Sequence, residues 1–284
     1  MSNEFYGLFL DRNMVYSCGY FRTGDESLET AQEQKLDHIL TKLRIKPGDR
    51  LLDIGCGWGA LIIRAAKKFG ANAVGITLSE NQFALAKERI KAEGLEGRCE
   101  VRLQDYRDVP ATEKFQRISS VGMFEHVGLK NLQTYFRKIH SLLADGGVVL
   151  NHGITSADPD SKSVGLGAGD FIDRYVFPDG ELPHISLVLN EMERAGLEST
   201  DIESLRRHYA KTCAMWAEGV EKQSARAIAV VGEKRYRIWS LYLAGCAYGF
   251  AHSWMNVYQV LACKRGGPGE NTLPLSREYM YSRG

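Results

Sequence analysis

Short apolar runs alternate with stretches of helical period along most of this chain. Residues 1 to 46 begin aromatic-rich and become helix-like, with Leu36, Ile39, Leu40 and Leu43 on one apolar face, and they read as an N-terminal cap. From Arg50 the rhythm changes to RLLDIG, an Ala-rich helix over about 60 to 69, NAVGIT and a helix over about 80 to 93. CEVRL, RISSVG, a helix over about 132 to 143 and GVVLNHGI continue it. Buried strands in alternation with helices predict an α/β architecture, a parallel sheet with helices on both faces. The stretch 155 to 183 is rich in Gly, Asp, Ser and Pro and predicts a long, lid-like loop. A helix over 184 to 196, a strand near Ile202, two long helices over about 206 to 223 and 233 to 252, and a last strand NVYQVLACK follow. Helices just before the last strand predict a cover over the ligand-binding edge of the sheet, and the tail after Lys264 is expected to be disordered.

Composition narrows the function. With 284 residues, 44% of them hydrophobic and 25% charged, the chain can bury a full core. A net charge of +1 supplies no overall basic field, so no nucleic-acid partner is expected. Asn3, Glu4, Asp11 and Arg12 interrupt the N-terminus before a signal-peptide core could form. No apolar run reaches the roughly 20 residues of a bilayer span. The expectation is a cytoplasmic protein whose membrane contact, if any, is peripheral and transient, at the inner surface. The six cysteines, at 18, 56, 99, 213, 246 and 263, contain no C-x-x-C pair, so reduced thiols and no metal site are expected.

The strongest local signal is LLDIGCGWG at 51 to 59: a buried strand, glycines at 55, 57 and 59 with Cys56 between the first two, then a helix. Such a turn lets a ligand lie against backbone at a helix N-terminus, as a nucleotide-like cofactor would. The spacing is G-x-G-x-G, not the dinucleotide G-x-G-x-x-G, and no Walker lysine follows, which argues against NAD and ATP. Asp53 ahead of the glycines would either position a cationic amino-acid ligand or simply cap the loop. Thr77 and Gln82 after the second strand could hold a ribose, and Asp105-Tyr106 after the third could hold an adenine edge and face.

LLDIGCGWG, GITLSENQ, GMFEHVG, NHGIT and HYAKT, in this order, resemble the cyclopropane-fatty-acid synthases and mycolic acid cyclopropane synthases, over nearly the whole chain. The resemblance implies a Rossmann-like class I S-adenosylmethionine (SAM)-dependent methyltransferase with a seven-stranded, mostly parallel sheet. A helical cover is inserted before the last strand, above an acyl tunnel. The corresponding boundaries are a cap at 1–46, a SAM-binding core at 47–155, a lid loop and covering helices at 156–255, the last strand at 256–264 and a tail at 265–284. SAM contacts would be Tyr16, Ser17, Gly55, Gly57, Gly59, Thr77, Leu78 and Gln82. A bound bicarbonate would be held by Glu125, His152 and Tyr209, with backbone groups near Cys18 and Ile154. Cys246 matches a cysteine regarded in the family as catalytic. Members usually carry a His-Tyr-Asp run before the motif that here follows Met1 directly, which predicts a truncated or shortened N-terminal lid and a leakier site.

The chemistry so implied is transfer of a methylene unit to the cis double bond of an unsaturated acyl chain, on a phospholipid, to form a cyclopropane. An alkene is a weak nucleophile, so alignment with the sulfonium methyl is a large part of the task. The cation formed needs a nearby anion and a base to take a proton from the new methyl. A tyrosine hydroxyl and an imidazole N–H can donate to bicarbonate while a carboxylate accepts its hydroxyl. Each residue also has a plainer reading: Glu125 as a solvated loop acid, His152 as a core histidine and Cys246 as a small packed hydrophobe. Phe171, Tyr175, Phe177, Trp239 and Phe250 would line the tunnel or merely fill the core. Lys222, Arg226, Lys234, Arg235 and Arg237 form a basic cluster that would meet an anionic surface or water. A C-methyltransferase leaving a methyl branch, or acting on another olefin, has the same ligand set. A non-catalytic SAM- or lipid-binding protein would be expected to have lost Glu125, His152 or Tyr209. The sequence allows a homodimer without specifying one.

Overall fold

The computed structural model describes residues 1–161, 168–178, 180–266, 271 and 273–281. Its strands are β1 (Arg50–Ile54), β2 (Asn72–Thr77), β3 (Cys99–Leu103), β4 (Phe115–Val121), β5 (Leu143–Ser156), β6 (Leu197–Ser204) and β7 (Met255–Lys264). They form one sheet in the order β3-β2-β1-β4-β5-β7-β6. The first five pair in parallel, and β7 enters antiparallel between β5 and β6. Strand order reverses at β1, whose neighbours β2 and β4 belong to the two halves, so a crevice opens beyond its carboxyl end.

The helices are α1 (Asn3–Tyr6), α2 (Leu28–Lys42), α3 (Ala60–Phe69), α4 (Glu80–Ala92), α5 (Leu132–Leu142), α6 (Ala168–Tyr175), α7 (Ile185–Arg194), α8 (Arg206–Lys222), α9 (Ser224–Val231), α10 (Glu233–Ala251) and α11 (Glu278–Tyr281). Three hydrophobic clusters hold these layers. One packs α2, α3 and α4 on the first face of the sheet, through Leu36, Ile39, Ile62 and Ile90. A second packs α5 and α7 on the other face, through Phe136, Ile139, Val188 and Met192. A third joins α1, α8 and α10 above the strand ends, through Phe5, Trp216, Trp239 and Phe250. Strands covered on both faces must be apolar along their length, and Leu51, Leu52 and Ile54 of β1 are all buried.

Three expectations are corrected. The stretch 155 to 183 is not one loop: β5 runs to Ser156, and AGDFIDRY forms α6. Phe171, Ile172 and Tyr175 recur at helical spacing inside that glycine-rich composition, and the spacing decides the local structure; residues 162–167 and 179 lie outside the described residues. Between the two long cover helices a third, α9, is closed by Gly232 at φ 80°, a conformation natural to glycine. The tail is not simply disordered: Met280 of α11 is buried, and Leu273 and Tyr279 pack on the cluster around α2.

Candidate functional site

The glycine loop lies at the switch point. Gly55, Gly57 and Gly59 have φ of 78°, 55° and 83°, all left-handed, and Gly59 starts α3. A Cβ at Gly55 would come within 2.8 Å of the Met123 Cβ, while one at Gly57 would meet no atom within 4 Å, so the loop is packed underneath and open above. Gly75 on β2 lets it sit low, since a Cβ there would lie 2.7 Å from that of Cys56.

Around this loop is a cavity of about 870 Å³ that continues between the cover and the sheet. Tyr16, Ser17, Asp53, Gly55, Cys56, Gly57, Thr77, Leu78, Gln82, Tyr106, Glu125, Ile154, Tyr209 and Cys246 are on its wall; Gly59, Cys18 and His152 are not. Of the aromatic residues expected around an acyl chain, Phe177 and Phe250 line it. Trp239 is instead buried in the cover cluster, and Phe171 and Tyr175 pack on each other with ring centres 5.2 Å apart.

Each polar group on the wall has a definable state. The Thr77 hydroxyl donates to Gln82 Oε1 at 2.8 Å, which leaves the Gln82 amide nitrogen free to donate. Asp105 accepts from Arg107 Nε at 2.9 Å and Nη2 at 2.7 Å, so its carboxylate is largely spent, and Tyr106 stands edge-on to Tyr135. Asp53 accepts from the Ser119 hydroxyl at 2.7 Å, and burial pushes it up to about 6. Tyr16 is enclosed by Tyr6 and Trp216, each with its ring centre 5.2 Å away. Arg89 ties the strap before α2 to the glycine loop, donating to the carbonyls of Asn13 at 2.8 Å and Trp58 at 2.9 Å.

Glu125 sits in a one-turn helix after β4, with Oε1 accepting from the Ile154 N–H at 2.7 Å and Oε2 buried without a partner among the described residues. Burial raises it to about 7, against the lowering effect of the Ile154 bond. The plainer reading of a solvated loop acid is therefore corrected, and of the backbone groups near Ile154 expected at bicarbonate, the Ile154 N–H itself donates to Glu125. Gly153 makes this placement feasible, because a Cβ there would fall 1.8 Å from the Phe124 ring.

His152 on β5 is buried, with Gln259 Nε2 donating to its Nδ1 at 3.2 Å. The ring proton then belongs on Nε2, a buried donor without an acceptor among the described residues. Burial, followed by the charges of Lys35 and Lys42, drives its pKa well below 6.5 and keeps it neutral. Tyr209 on α8 packs on Phe250 and Trp216, and burial raises its pKa well above 10, so it stays a donor. The Cys18 thiol points to the carbonyls of Gly19 at 3.2 Å and Leu205 at 3.7 Å. Cys246 lies on the wall, but burial pushes its thiol up to about 12, which leaves too little thiolate for nucleophilic work. The sequence reading did not find Lys35, Ser119, Gly153 or Gln259, whose roles depend on contacts across the fold; only Gly153, inside NHGIT, carried a local signal.

No helix among the described residues is long and apolar enough to cross a membrane, and no cluster of metal-ligating side chains occurs among them.

A family model described as mycolic acid cyclopropane synthetase matches residues 1–260. The chain is 52% identical to a probable fatty acid methyltransferase of Pseudomonas putida, covering 99% of this chain and 71% of that one. It is 37% identical to cyclopropane mycolic acid synthase 1 of Mycobacterium tuberculosis, over 91% of this chain and 92% of that one. The solved structure of mycolic acid cyclopropane synthase CmaA1 complexed with SAH and CTAB superposes with a TM-score of 0.88 at 36% identity, covering 93% and 94% of the two chains. A mixed, mostly parallel sheet with a G-x-G-x-G loop at its switch point, a helical cover and this family match agree: the chain belongs to the mycolic acid cyclopropane synthetase family of SAM-dependent methyltransferases.

Proposed function

We propose that this protein transfers the methyl carbon of SAM to the cis double bond of an unsaturated fatty acyl chain of a phospholipid and closes it to a cyclopropane, with bicarbonate as the base. The observation that carries this reading is one cavity that joins the glycine loop to an aromatic compartment, with Glu125 and Tyr209 on the wall. SAM, when bound, would supply the electrophilic methyl through cleavage of its S–CH3 bond, leaving as neutral S-adenosylhomocysteine, and bicarbonate would supply a base and a counter-charge. The fit to bicarbonate rests on buried atoms that have no partner among the described residues: Glu125 Oε2, on the wall, to accept its hydroxyl, and the Nε2–H of His152, which lies behind the wall, to donate to an oxygen that reaches past it. The Tyr209 hydroxyl is a further donor.

The residues then divide the work. Gly55, Gly57, Thr77 and Gln82 hold the nucleoside part, and Asp53 holds the amino-acid end. The aromatic compartment excludes water and aligns the chain. As the double bond takes up the methyl, positive charge appears on the chain among aromatic faces and beside the buried anion. Loss of one proton from the new methyl group lets that carbon bond to the cationic carbon, so one methylene is added and one proton is released. Glu125 and Tyr209 keep the proton acceptor in place, and Gln259 fixes the His152 tautomer.

A lipid substrate requires contact with a bilayer. The basic cluster supports this weakly: Lys222, Arg226 and Arg237 are paired with Glu218, Glu4 and Glu233. Leu241 and Tyr248, exposed on α10, are the better candidates for a peripheral contact. A second reading is methylation that stops at a branch, with which the name of the 52% identical relative, a probable fatty acid methyltransferase, is equally consistent.

The decisive experiment incubates the protein with SAM and vesicles of cis-monounsaturated phospholipid, with and without bicarbonate, and analyses the released fatty acids by mass and proton NMR. A gain of CH2 with upfield cyclopropyl protons, dependent on bicarbonate, is expected. A methyl-branch signal would establish the second reading instead. No product despite SAM binding would reject the phospholipid substrate.

A further inference from the structure

Among the described residues, two lysine or arginine side chains reach the cavity wall, Lys35 and Arg107. Arg107 is mostly exposed and its charge is matched by Asp105, 2.7 Å away. Lys35 is on α2 with 2% of its surface exposed, and its ammonium donates to the Ser17 hydroxyl at 2.8 Å. That is its one hydrogen bond among the described residues, although an ammonium has three protons to give. Burial pulls its pKa down to about 8, against the opposing influence of Asp11, Cys18 and Asp53.

Asp53 has the complementary problem on the same wall. It is 3% exposed, it has one side-chain donor in Ser119, and Lys35 is the cation whose field reaches it. The two buried charges therefore sense each other across the cavity without forming an ion pair among the described residues. Isolated buried charges are costly, and a ligand that brings the opposite charge to each would recover much of that cost. The amino-acid head of SAM is such a ligand, with an ammonium for the carboxylate and a carboxylate for the ammonium.

We propose that Lys35, together with the Ser17 hydroxyl it holds, receives the α-carboxylate of SAM, opposite Asp53, which receives the α-ammonium. The proposal rests on SAM being the cofactor. It makes Lys35 a cofactor-binding residue in a helix where the sequence shows only an ordinary amphipathic pattern. It also explains why a lysine is buried against a serine: Ser17 fixes the ammonium, and the remaining protons are left for the ligand.

The test is a binding cycle by titration calorimetry on the intact protein, with S-adenosylhomocysteine (SAH) and decarboxylated SAH, which keeps the amine and lacks the carboxylate. Wild type is expected to bind SAH roughly 10- to 100-fold more tightly than the decarboxylated form, the scale of a charge-assisted hydrogen bond. Lys35→Met should lose most of that factor for SAH and no more than about twofold for the decarboxylated form. Equal losses for both ligands, or no loss for either, would overturn the proposal; the latter would return Lys35 to a role toward bicarbonate or the fold. Failure of wild type to bind SAH at all would overturn the SAM reading and this inference with it. Ser17→Ala gives an independent arm if Lys35→Met does not fold, with a smaller loss of roughly 3- to 10-fold expected for SAH alone. The ligand-free Lys35→Met protein should melt at or above the wild-type temperature, because a buried, poorly partnered charge has been removed.

Discussion

At the glycine-loop end the cavity wall is made largely of backbone and short side chains from consecutive residues, Asp53 to Gly57 and Thr77 to Ser79. At the aromatic end it is made of long side chains from distant segments: Tyr16 from the strap, Trp216 from α8, Tyr242 from α10 and Phe177 after α6. The first kind of wall is set by local backbone conformation and can be read from a nine-residue motif. The second is set by how helices pack, and no local pattern defines it. Their electrostatics differ in parallel. Opposite charges, Lys35 and Asp53, flank the glycine loop, whereas neutral donors, Tyr209 and His152, accompany Glu125 beyond it.

The largest effect should come from the aromatic end. Glu125→Gln is expected to lower turnover by roughly 10²- to 10⁴-fold while SAH affinity stays within about twofold, measured by product formation and calorimetry. A parallel loss of SAH affinity would erase the functional boundary between the two ends. Gly153→Ala should be next, because the new methyl must displace the Phe124 ring and with it Glu125. A destabilisation of about 1–3 kcal/mol, read from denaturant melts, should accompany a turnover loss larger than the change in SAH affinity. Leu241→Glu, outside the cavity, should lower activity on vesicles severalfold and leave SAH binding unchanged; equal activity of both proteins on vesicles would remove α10 from the membrane contact.

The smallest effect is a matter of sign. Burial holds Glu125 at about 7 against an ordinary 4.5, so its contribution to stability is fully present below the ordinary value and is lost as pH rises through about 7. Glu125→Gln removes that loss. The ligand-free variant should therefore gain melting temperature over wild type at pH 8 and gain little at pH 5, with an upper limit of roughly 3 kcal/mol for the difference. A gap that narrows with pH would mean that the carboxylate is ionised at low cost and that its partner-free oxygen is solvated.

Legibility follows the same division. LLDIGCGWG carries the cofactor loop because conformation, glycine and helix start are all local. Glu125 and His152 were marked by the GMFEHVG and NHGIT motifs of the resemblance, but the sequence could not show that β5 runs on past His152 to Ser156, place His152 behind the wall or assign the Ile154 N–H to Glu125, since these depend on pairing between strands. Lys35, His38 and Lys42 recur at helical spacing beside the apolar face of α2, a pattern that usually marks solvated flank positions. Here the strap and β6 bury them, and only the tertiary structure shows that these polar groups are interior. Helix α6 was hidden by the composition around it, and the wall aromatics by their scatter over the chain.

The cover has its own hydrophobic cluster, separate from the two that hold the sheet. Substitutions at Trp239, Leu243 or Phe250 can therefore reshape the compartment while Leu52, Ile62 and Phe136 continue to hold the scaffold. For the history of such proteins this means that substrate range and cofactor chemistry need not change together. A lineage can recut the roof for a new guest and inherit the floor intact.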